Sequence, residues 1–298
     1  MKRRKMKRVL IVGSGDVARR IIPWLVRRFG VHALVRRPEE GAALRALGAT
    51  PIVADLDRPG SLARLAGLAD YVLHCAPPPD QGHDDPRTRR LLAALTQRGS
   101  LPRRLVYIST TGVYGDCAGA WLDETRPRRP ASARARRRVA AEDRLRRFGR
   151  RTGCRVCLLR APGIYDSADR LPLARLHKGE PVLAADDDVF TNHIHADDLA
   201  RLLALALFRG RPNRAYNASD DSSLRMGEYF DLVADALGLP RPPRLPRAEL
   251  AARVSPLTLS FMSESRRLDN QRIKRELRAR LIHPTVADAL RTRGVASS

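Results

Sequence analysis

The strongest indication of the fold is the segment Val9-Leu10-Ile11-Val12-Gly13-Ser14-Gly15-Asp16-Val17-Ala18. Its first four residues form a continuous apolar run, which is typical of a buried strand, and the residues from Gly13 to Arg28 have the periodicity of a turn followed by a helix. In the pattern G-x-G-x-x-A the first glycine allows a tight turn and the second lets the backbone approach a diphosphate. The small last residue lets the helix pack closely on the strand. The stretch therefore predicts a dinucleotide-binding turn, in which the amides that begin the helix hold the diphosphate.

Strand-like runs alternate with helical patterns through the first two thirds of the chain. This alternation predicts an α/β fold, a doubly wound parallel Rossmann sheet with helices on both faces. After about Tyr165 the loops lengthen and prolines cluster, which predicts a smaller C-terminal substrate lobe. The expected Rossmann domain covers residues 1–165, with 190–210 returning to it, and the expected lobe covers 166–189 and 211–298. Helices are predicted in the lobe at Met226 to Leu237 and Glu264 to Leu277.

The composition is that of a globular protein, with 43% hydrophobic residues in 298. No apolar run approaches the roughly 18 residues that a membrane-spanning helix needs. The apolar run after the basic N-terminus stops at Gly13, which is too short for a signal peptide. We therefore expect a cytoplasmic protein that does not engage a membrane.

The four cysteines do not indicate a metal site. Cys154 and Cys157 form a C-x-x-C within a predicted strand, where residues three apart face opposite sides. No second pair of ligands has metal spacing, so we expect reduced thiols and no bound metal.

The net charge of +24 comes almost entirely from arginine. One interpretation is a compositional bias without function, and the other is a surface for nucleic acid or for an acidic ligand. The arginines are spread over the whole chain, which favours the first interpretation, so we do not expect a nucleic-acid partner.

The end of the second predicted strand bears on the choice of nucleotide. It reads Leu34-Val35-Arg36-Arg37, where an NAD-specific site usually has an acidic residue for the ribose 2′-hydroxyl. Arginine at this place suits a 2′-phosphate, which favours NADP over NAD. Asp55 and Leu56 follow the third strand and are placed to meet the adenine, although Asp55 is equally suited to cap the next helix.

Four further motifs carry a resemblance to a known family. They are Ala54-Asp55-Leu56, Ser109-Thr110-Thr111-Gly112-Val113-Tyr114-Gly115, Leu159-Arg160-Ala161-Pro162-Gly163-Ile164-Tyr165 and His193-Ile194-His195-Ala196-Asp197-Asp198-Leu199-Ala200. Together with the glycine turn, the chain resembles the extended short-chain dehydrogenase/reductase superfamily of the NAD-dependent epimerase/dehydratase type. The resemblance covers nearly the whole chain.

The resemblance implies hydride chemistry with a Ser/Thr, a Tyr and a Lys, of which Thr110 matches the first. The Tyr-x-x-x-Lys pair should lie at the start of the long charged helix, where this chain has Arg134 and Arg138. No tyrosine of the chain is followed by lysine four residues later. Arginine cannot act as a general base near neutrality, so the chain resembles atypical members such as the YeeZ-like proteins. Arg138 remains a candidate to bind the ribose or a phosphate as a fixed cation.

Other side chains would then have to move the proton. Tyr114 and Tyr165 are predicted in loops at the carboxyl edge of the sheet, so the candidate catalytic residues are Thr110, Tyr114 and Tyr165. For His195 we favour a hydrogen bond between the lobe and the sheet over a catalytic role. The expected cofactor contacts are Gly13, Ser14, Gly15, Asp16, Val17, Arg36, Arg37, Asp55, Leu56, Ala76, Pro77, Thr110, Arg138 and Gly163.

Three functions remain open from the sequence. The first is an NAD(P)-dependent oxidoreductase, epimerase or dehydratase that acts on an unknown small molecule through a non-standard active site. The second is a non-catalytic NAD(P) sensor or regulator, and the third, a nucleic-acid binder, ranks last. The dense arginines over residues 134–151 would repel a second copy of the same helix, so we expect a monomer or a weak dimer.

Overall fold

The structure is a computed structural model that describes residues 6–166 and 170–296, without the side chains of residues 98, 257 and 293–296. The strands in chain order are β1 (Arg8–Val12), β2 (Gly30–Val35), β3 (Thr50–Val53), β4 (Tyr71–His74), β5 (Arg104–Thr110), β6 (Trp121–Leu122), β7 (Arg155–Ala161), β8 (Gly163–Tyr165), β9 (Val182–Leu183), β10 (Phe190–Thr191), β11 (His193–His195), β12 (Arg214–Asn217), β13 (Leu224–Arg225), β14 (Arg244–Leu245) and β15 (Arg267–Leu268). The helices are α1 (Asp16–Leu25), α2 (Gly41–Ala46), α3 (Pro86–Thr96), α4 (Ala133–Thr152), α5 (Leu173–His177), α6 (Ala196–Arg209), α7 (Met226–Ala236), α8 (Arg247–Ala251), α9 (Pro256–Phe261), α10 (Gln271–Glu276) and α11 (Val286–Ala296).

Seven of these strands form one parallel sheet in the order β3-β2-β1-β4-β5-β7-β12. The order reverses between β1 and β4, because the chain winds outward from β1 in one direction and then from β4 in the other. Ligands of open α/β sheets bind outside the carboxyl ends of the strands at such a reversal. The predicted Rossmann α/β fold is confirmed, and the glycine turn after β1 lies at this reversal.

Alternation along β1 divides the interior into two cores. Val9 and Ile11 face a core that they share with α1 and α6, whereas Leu10 and Val12 face the core shared with α3 and α4. All four side chains are fully buried, and each contributes about 1.5–3 kcal/mol of hydrophobic stabilisation. Helices therefore cover both faces of the sheet, which holds the start of α1 in a fixed position relative to β1.

Two parts of the C-terminal third differ from the sequence-based prediction. Residues 214–217, which we assigned to the lobe, form the edge strand β12, because they pair with β7 in parallel register. The helix predicted from Glu264 to Leu277 is wrong over its first half. There β15 pairs with β6, Arg267 opposite Trp121, and only Gln271–Glu276 is helical.

Helix α6 shares a core with α1 and with the sheet. The exact division of the chain into a Rossmann domain and a lobe stays a prediction. No helix among the described residues combines the length and the apolar character that crossing a membrane requires.

Candidate cofactor and substrate site

The turn between β1 and α1 has the backbone geometry that a diphosphate needs. Gly13 has φ +91°, and a Cβ added there would lie 2.3 Å from the backbone nitrogen of Ala76. At Gly15 an added Cβ would meet nothing within 4 Å, so this position borders open space. Ala18 is buried against the core. The two glycines thus differ in role: the first is required by the fold, and the second leaves room for a ligand.

The N-terminus of α1 offers free amides to that open space. Gly15 is the N-cap residue and makes no side-chain cap, and the first helical bond runs from the Arg19 amide to the Gly15 carbonyl. The amides before Arg19 lack partners within the helix, and they carry the positive end of its dipole. The Asp16 carboxylate would repel an anion bound here. Its charge is compensated by ion pairs with Arg20 at 3.0 Å and Arg170 at 3.3 Å.

A cleft of about 710 Å³ opens over this turn. We refer to it as the cofactor cleft; it is lined by Val12, Gly13, Ser14, Gly15, Asp16, Val17, Ala18, Arg19, Leu34, Val35, Arg36, Glu40, Ala54, Asp55, Leu56, Cys75, Ala76, Pro77, Arg87, Ile108, Arg138, Ile164 and Arg170. Eleven of the fourteen expected cofactor contacts are among these lining residues. The volume lies within the range of about 300–1,000 Å³ that is usual for small-molecule and cofactor sites.

Arg36 and Arg37 separate in the structure. Arg36 lines the cofactor cleft. Arg37 does not line it: its side chain is 75% exposed, and its Nε donates at 2.9 Å to Glu40, which does line the cleft. If the bound nucleotide is NADP, Arg36 is placed to bind its 2′-phosphate.

Arg138 is held inside the cofactor cleft by two hydrogen bonds. Its Nη1 donates to the Tyr107 hydroxyl at 2.9 Å and to the Ile108 carbonyl at 2.7 Å. A guanidinium has further donors, so Arg138 remains able to bind a ribose oxygen or a phosphate. It lies one helical turn after Arg134 on α4.

The other two expected contacts, Thr110 and Gly163, line a second pocket of about 210 Å³. This second pocket is lined by Thr110, Thr111, Gly112, Ser132, Arg134, Ala135, Pro162, Gly163, Phe190, Thr191, Asn192, Met226, Ser260, Phe261, Glu264 and Arg266. It combines the carboxyl end of the sheet with segments near residues 190 and 260. It adjoins the cofactor cleft along β5 and α4, where Ile108 and Arg138 line the cleft and Thr110 and Arg134 line this pocket.

The charged groups of the second pocket come from distant parts of the chain. The Arg134 guanidinium lies 4.4 Å from the centre of the Phe261 ring, which is a favourable cation–π distance. Arg266 donates from Nη1 to the Glu264 carboxylate and to the Gly115 carbonyl, both at 2.7 Å. The pocket thus contains two guanidinium groups and one carboxylate.

Tyr114, an expected catalytic residue, lines neither the cofactor cleft nor the second pocket. Its hydroxyl donates to Asn217 Oδ1 at 2.6 Å and accepts from Arg160 Nη1 at 2.9 Å. The side chain is fully buried, and burial raises the pKa of Tyr114 to about 12. Because the turn after β5 directs the ring inward, Tyr114 stabilises the core beneath the site.

Tyr165 is also buried and lines neither pocket, and a catalytic role for either tyrosine stays a prediction. Burial and the neighbouring Asp220 carboxyl raise the pKa of Tyr165. Its ring packs edge-on against His195, at 5.3 Å between ring centres. Of the three candidates, Thr110 alone lies at a pocket.

His195 makes a local hydrogen bond, which differs from the bond between the lobe and the sheet that we favoured. Its Nδ1 accepts the Asp197 amide at 3.2 Å, which caps α6, and the centre of its ring lies 3.8 Å from that of the tilted His283 ring. His195, Asp197 and His283 bring their ligand atoms within 4.8 Å of one another, a spacing that could hold a metal ion. The Asp197 carboxylate, however, already pairs with Arg20 at 2.7 Å.

The geometry can now be compared with known proteins. A family model described as NAD(P)H-binding matches residues 13–209. The chain belongs to this family. A search of proteins with curated functions found no match.

Solved structures agree with this assignment. A conserved protein of unknown function from Silicibacter pomeroyi is 30% identical, with a TM-score of 0.82 over 98% of this chain and 100% of that chain. A UDP-glucose 4-epimerase from Thermotoga maritima, solved with UDP-glucose, is 17% identical, with a TM-score of 0.77 over 98% and 100%. A nucleoside-diphosphate-sugar epimerase from Pseudomonas aeruginosa is 20% identical, with a TM-score of 0.77 over 97% and 96%. The chain therefore has the fold of these epimerases, and the cofactor cleft opens over the glycine turn of an NAD(P)H-binding family member.

Several residues of the second pocket escaped the sequence analysis. Glu264 and Arg266 lie in a segment that we expected to be helical, and no motif marked Phe261.

Proposed function

We propose that this NAD(P)H-binding protein is an NADP-dependent oxidoreductase of the epimerase/dehydratase type, which acts on a small molecule through a rearranged active site. One observation carries the proposal: neighbouring residues of the same elements line both pockets. Ile108 lines the cofactor cleft and Thr110, two residues further along β5, lines the second pocket. On α4, Arg138 lines the cofactor cleft and Arg134, one helical turn before it, lines the second pocket. A molecule in the second pocket would therefore lie next to the cofactor.

The chain's own groups divide the task of holding the cofactor. A bound nicotinamide ring supplies hydride transfer at its C4. The amides that begin α1 would hold the diphosphate in the space left by Gly15. Arg36 would pair with a 2′-phosphate, and Arg138 would add a fixed positive charge at the opposite side of the cleft.

Proton transfer needs a group other than the missing tyrosine. Among the lining residues of the second pocket, Arg134 and Arg266 stay protonated at physiological pH. Glu264 is the carboxylate there, and it accepts a hydrogen bond from Arg266. A positioned carboxyl group can accept and return a proton. We therefore assign Glu264 as the group that accepts the hydroxyl proton when an alcohol is oxidised and donates a proton to the oxygen when an oxo compound is reduced, and Thr110 as a hydrogen-bonding partner of the substrate.

The test follows NADPH absorbance in the presence of a panel of small oxo compounds. We expect oxidation of NADPH by the unaltered protein with at least one compound, and a loss of roughly 100-fold or more in kcat in Glu264→Gln, in line with the usual worth of an acid–base group. Glu249→Gln is the matched control, since Glu249 is exposed and lies outside the second pocket. Equal rates in Glu264→Gln and Glu249→Gln would refute the assignment of Glu264.

A non-catalytic sensor is the second candidate, favoured by one observation. Arg134 and Arg138 occupy the positions where the resemblance places the tyrosine and the lysine. A sensor would bind NADP and NADPH without turnover, and a partner protein would distinguish the two. The enzyme remains our first choice because a second pocket with a carboxylate is built beside the cofactor cleft.

Neither candidate function depends on the high net positive charge of the chain. Several arginines on and near α4 are already neutralised or engaged within the chain: Arg128 pairs with Asp143 at 2.7 Å and Arg144 with Asp84 at 2.8 Å. Exposed pairs of this kind contribute little stability, but they reduce the field available to a polyanion. A nucleic-acid partner therefore stays the least favoured function, and a monomer or weak dimer stays our prediction.

A further inference from the structure

The second pocket carries an excess of positive charge. Arg134 and Arg266 contribute two positive charges among its lining residues, and Glu264 contributes one negative charge. Glu264 is bound to Arg266 at 2.7 Å, so the charge that remains without an ionic partner is that of Arg134. A pocket of this net charge favours an anionic occupant.

Arg134 has no hydrogen bond or ion pair with the residues that the structure describes. Its guanidinium rests on the Phe261 ring, and partial burial lowers the pKa of Arg134. The ring fixes the plane of the guanidinium at low entropic cost, which leaves its edge donors available. A planar fork of donors matches a carboxylate in a bidentate manner.

Arg266 supplies a second unused donor. Its Nη1 is engaged by Glu264 and the Gly115 carbonyl, but its Nε is buried and lacks a hydrogen-bond partner in the described structure. A buried donor without a partner costs about 1–3 kcal/mol. A ligand or a water molecule that accepts from this Nε would recover that cost.

The size of the second pocket limits what can enter. The second pocket, at about 210 Å³, is much smaller than the cofactor cleft at about 710 Å³. A hydroxy acid or oxo acid of a few carbons is an occupant of suitable size. The polar walls provided by Thr110, Asn192 and Ser132 suit the hydroxyl or oxo group of such a compound.

We infer that the second pocket binds a small hydroxy acid or oxo acid, with the substrate carboxylate on Arg134 and its reacting carbon toward the cofactor cleft. This inference rests on the proposed function, because it names the substrate class for the same site. Arg134, which occupies the position of the family's tyrosine, would then bind the substrate instead of transferring a proton.

Ligand-observed saturation-transfer NMR tests the inference without relying on turnover. The probes are lactate, glycerate and malate, with propane-1,2-diol and glycerol as neutral analogues and inorganic phosphate as a different anion. We expect the hydroxy acids to bind, and Arg134→Gln to weaken them by roughly tenfold to a hundredfold, the usual worth of a bidentate charged contact. Arg134→Lys should keep part of the affinity because it keeps the charge.

Arg136→Gln is the matched control on the same helix, since Arg136 is exposed and does not line the second pocket. Thermal unfolding of each variant verifies that it is folded. Equal binding of the acids and their neutral analogues, binding of phosphate alone, or equal losses in Arg134→Gln and Arg136→Gln would each overturn the inference.

Calorimetric titration of the same samples with NADP separates this inference from the proposed function. If NADP binds and no hydroxy acid does, the substrate class is wrong and the cofactor assignment stands. If neither binds, the proposed function fails as well.

Discussion

Valine in place of Gly15 should remove nucleotide binding and leave the fold intact. Gly15 has φ −74° and ψ −175°, which is extended backbone that valine readily adopts. An added Cβ meets no atom within 4 Å, so the branched side chain would project into the cofactor cleft without disturbing the core.

The expected loss of stability is much smaller than the expected loss of nucleotide affinity. Gly15 provides no side-chain cap, so valine there costs about 1 kcal/mol of unfolding free energy at most, which is a shift of about 2–4 °C in Tm. Binding suffers more, because the side chain keeps the diphosphate from the amides that begin α1. Loss of two charge-assisted hydrogen bonds, at about 1.5 kcal/mol or more each, weakens the Kd by roughly 100-fold.

The assay is calorimetric titration with NADP, with thermal unfolding of the same samples. Gly60→Val is a matched control, since a Cβ at Gly60 also meets nothing within 4 Å and Gly60 lies outside the cofactor cleft. Gly13→Val should instead fail to fold, because its Cβ would overlap the Ala76 backbone. A folded Gly15→Val protein whose Kd for NADP stays within threefold of the unaltered protein would refute the reasoning.

Three further outcomes are expected. Burial raises the pKa of Asp220 to about 7, so the folded protein keeps a proton that the unfolded chain releases above about pH 4, and the free energy of unfolding falls as pH rises from 4 to 7. Asp220→Asn should reduce this pH dependence and raise the free energy of unfolding by roughly 1 kcal/mol or more at pH 8. Urea unfolding at pH 5 and pH 8 measures it, and curves identical to those of the unaltered protein would contradict the prediction. Glu142→Gln leaves the buried Arg160 without its counter-charge at 2.8 Å; differential scanning calorimetry should show a loss of about 3–5 kcal/mol, and a loss below 1 kcal/mol would disprove this view of the pair. Arg36→Asp should weaken NADP at least about tenfold and strengthen NAD, whereas Arg37→Asp should change either Kd by less than about threefold; calorimetry in which Arg37→Asp has the larger effect would reverse our assignment.

The parts of the site that depend on local sequence could be predicted. Gly13, Gly15 and Ala18 act through the backbone of one turn between a strand and a helix, and local chemistry fixes that turn. The alternation along β1 likewise predicts which side chains enter each core. These features need no knowledge of distant residues.

The parts that depend on long-range packing could not be predicted. Tyr114 follows a strand at the expected edge, but Asn217 and Arg160, far away in sequence, hold its hydroxyl inside the core. The pairing of β15 with β6 overrides the helical periodicity around Arg267. Phe261 reaches Arg134 across more than a hundred residues, and no local pattern encodes that contact.

We propose that the turn at Gly13 and Gly15 holds a nicotinamide dinucleotide. Isothermal titration calorimetry of the unaltered chain with NADP and with NAD tests it most directly. We predict saturable heat for one nucleotide per chain, with NADP the tighter ligand. No heat with either nucleotide, at protein concentrations well above micromolar, would contradict the claim.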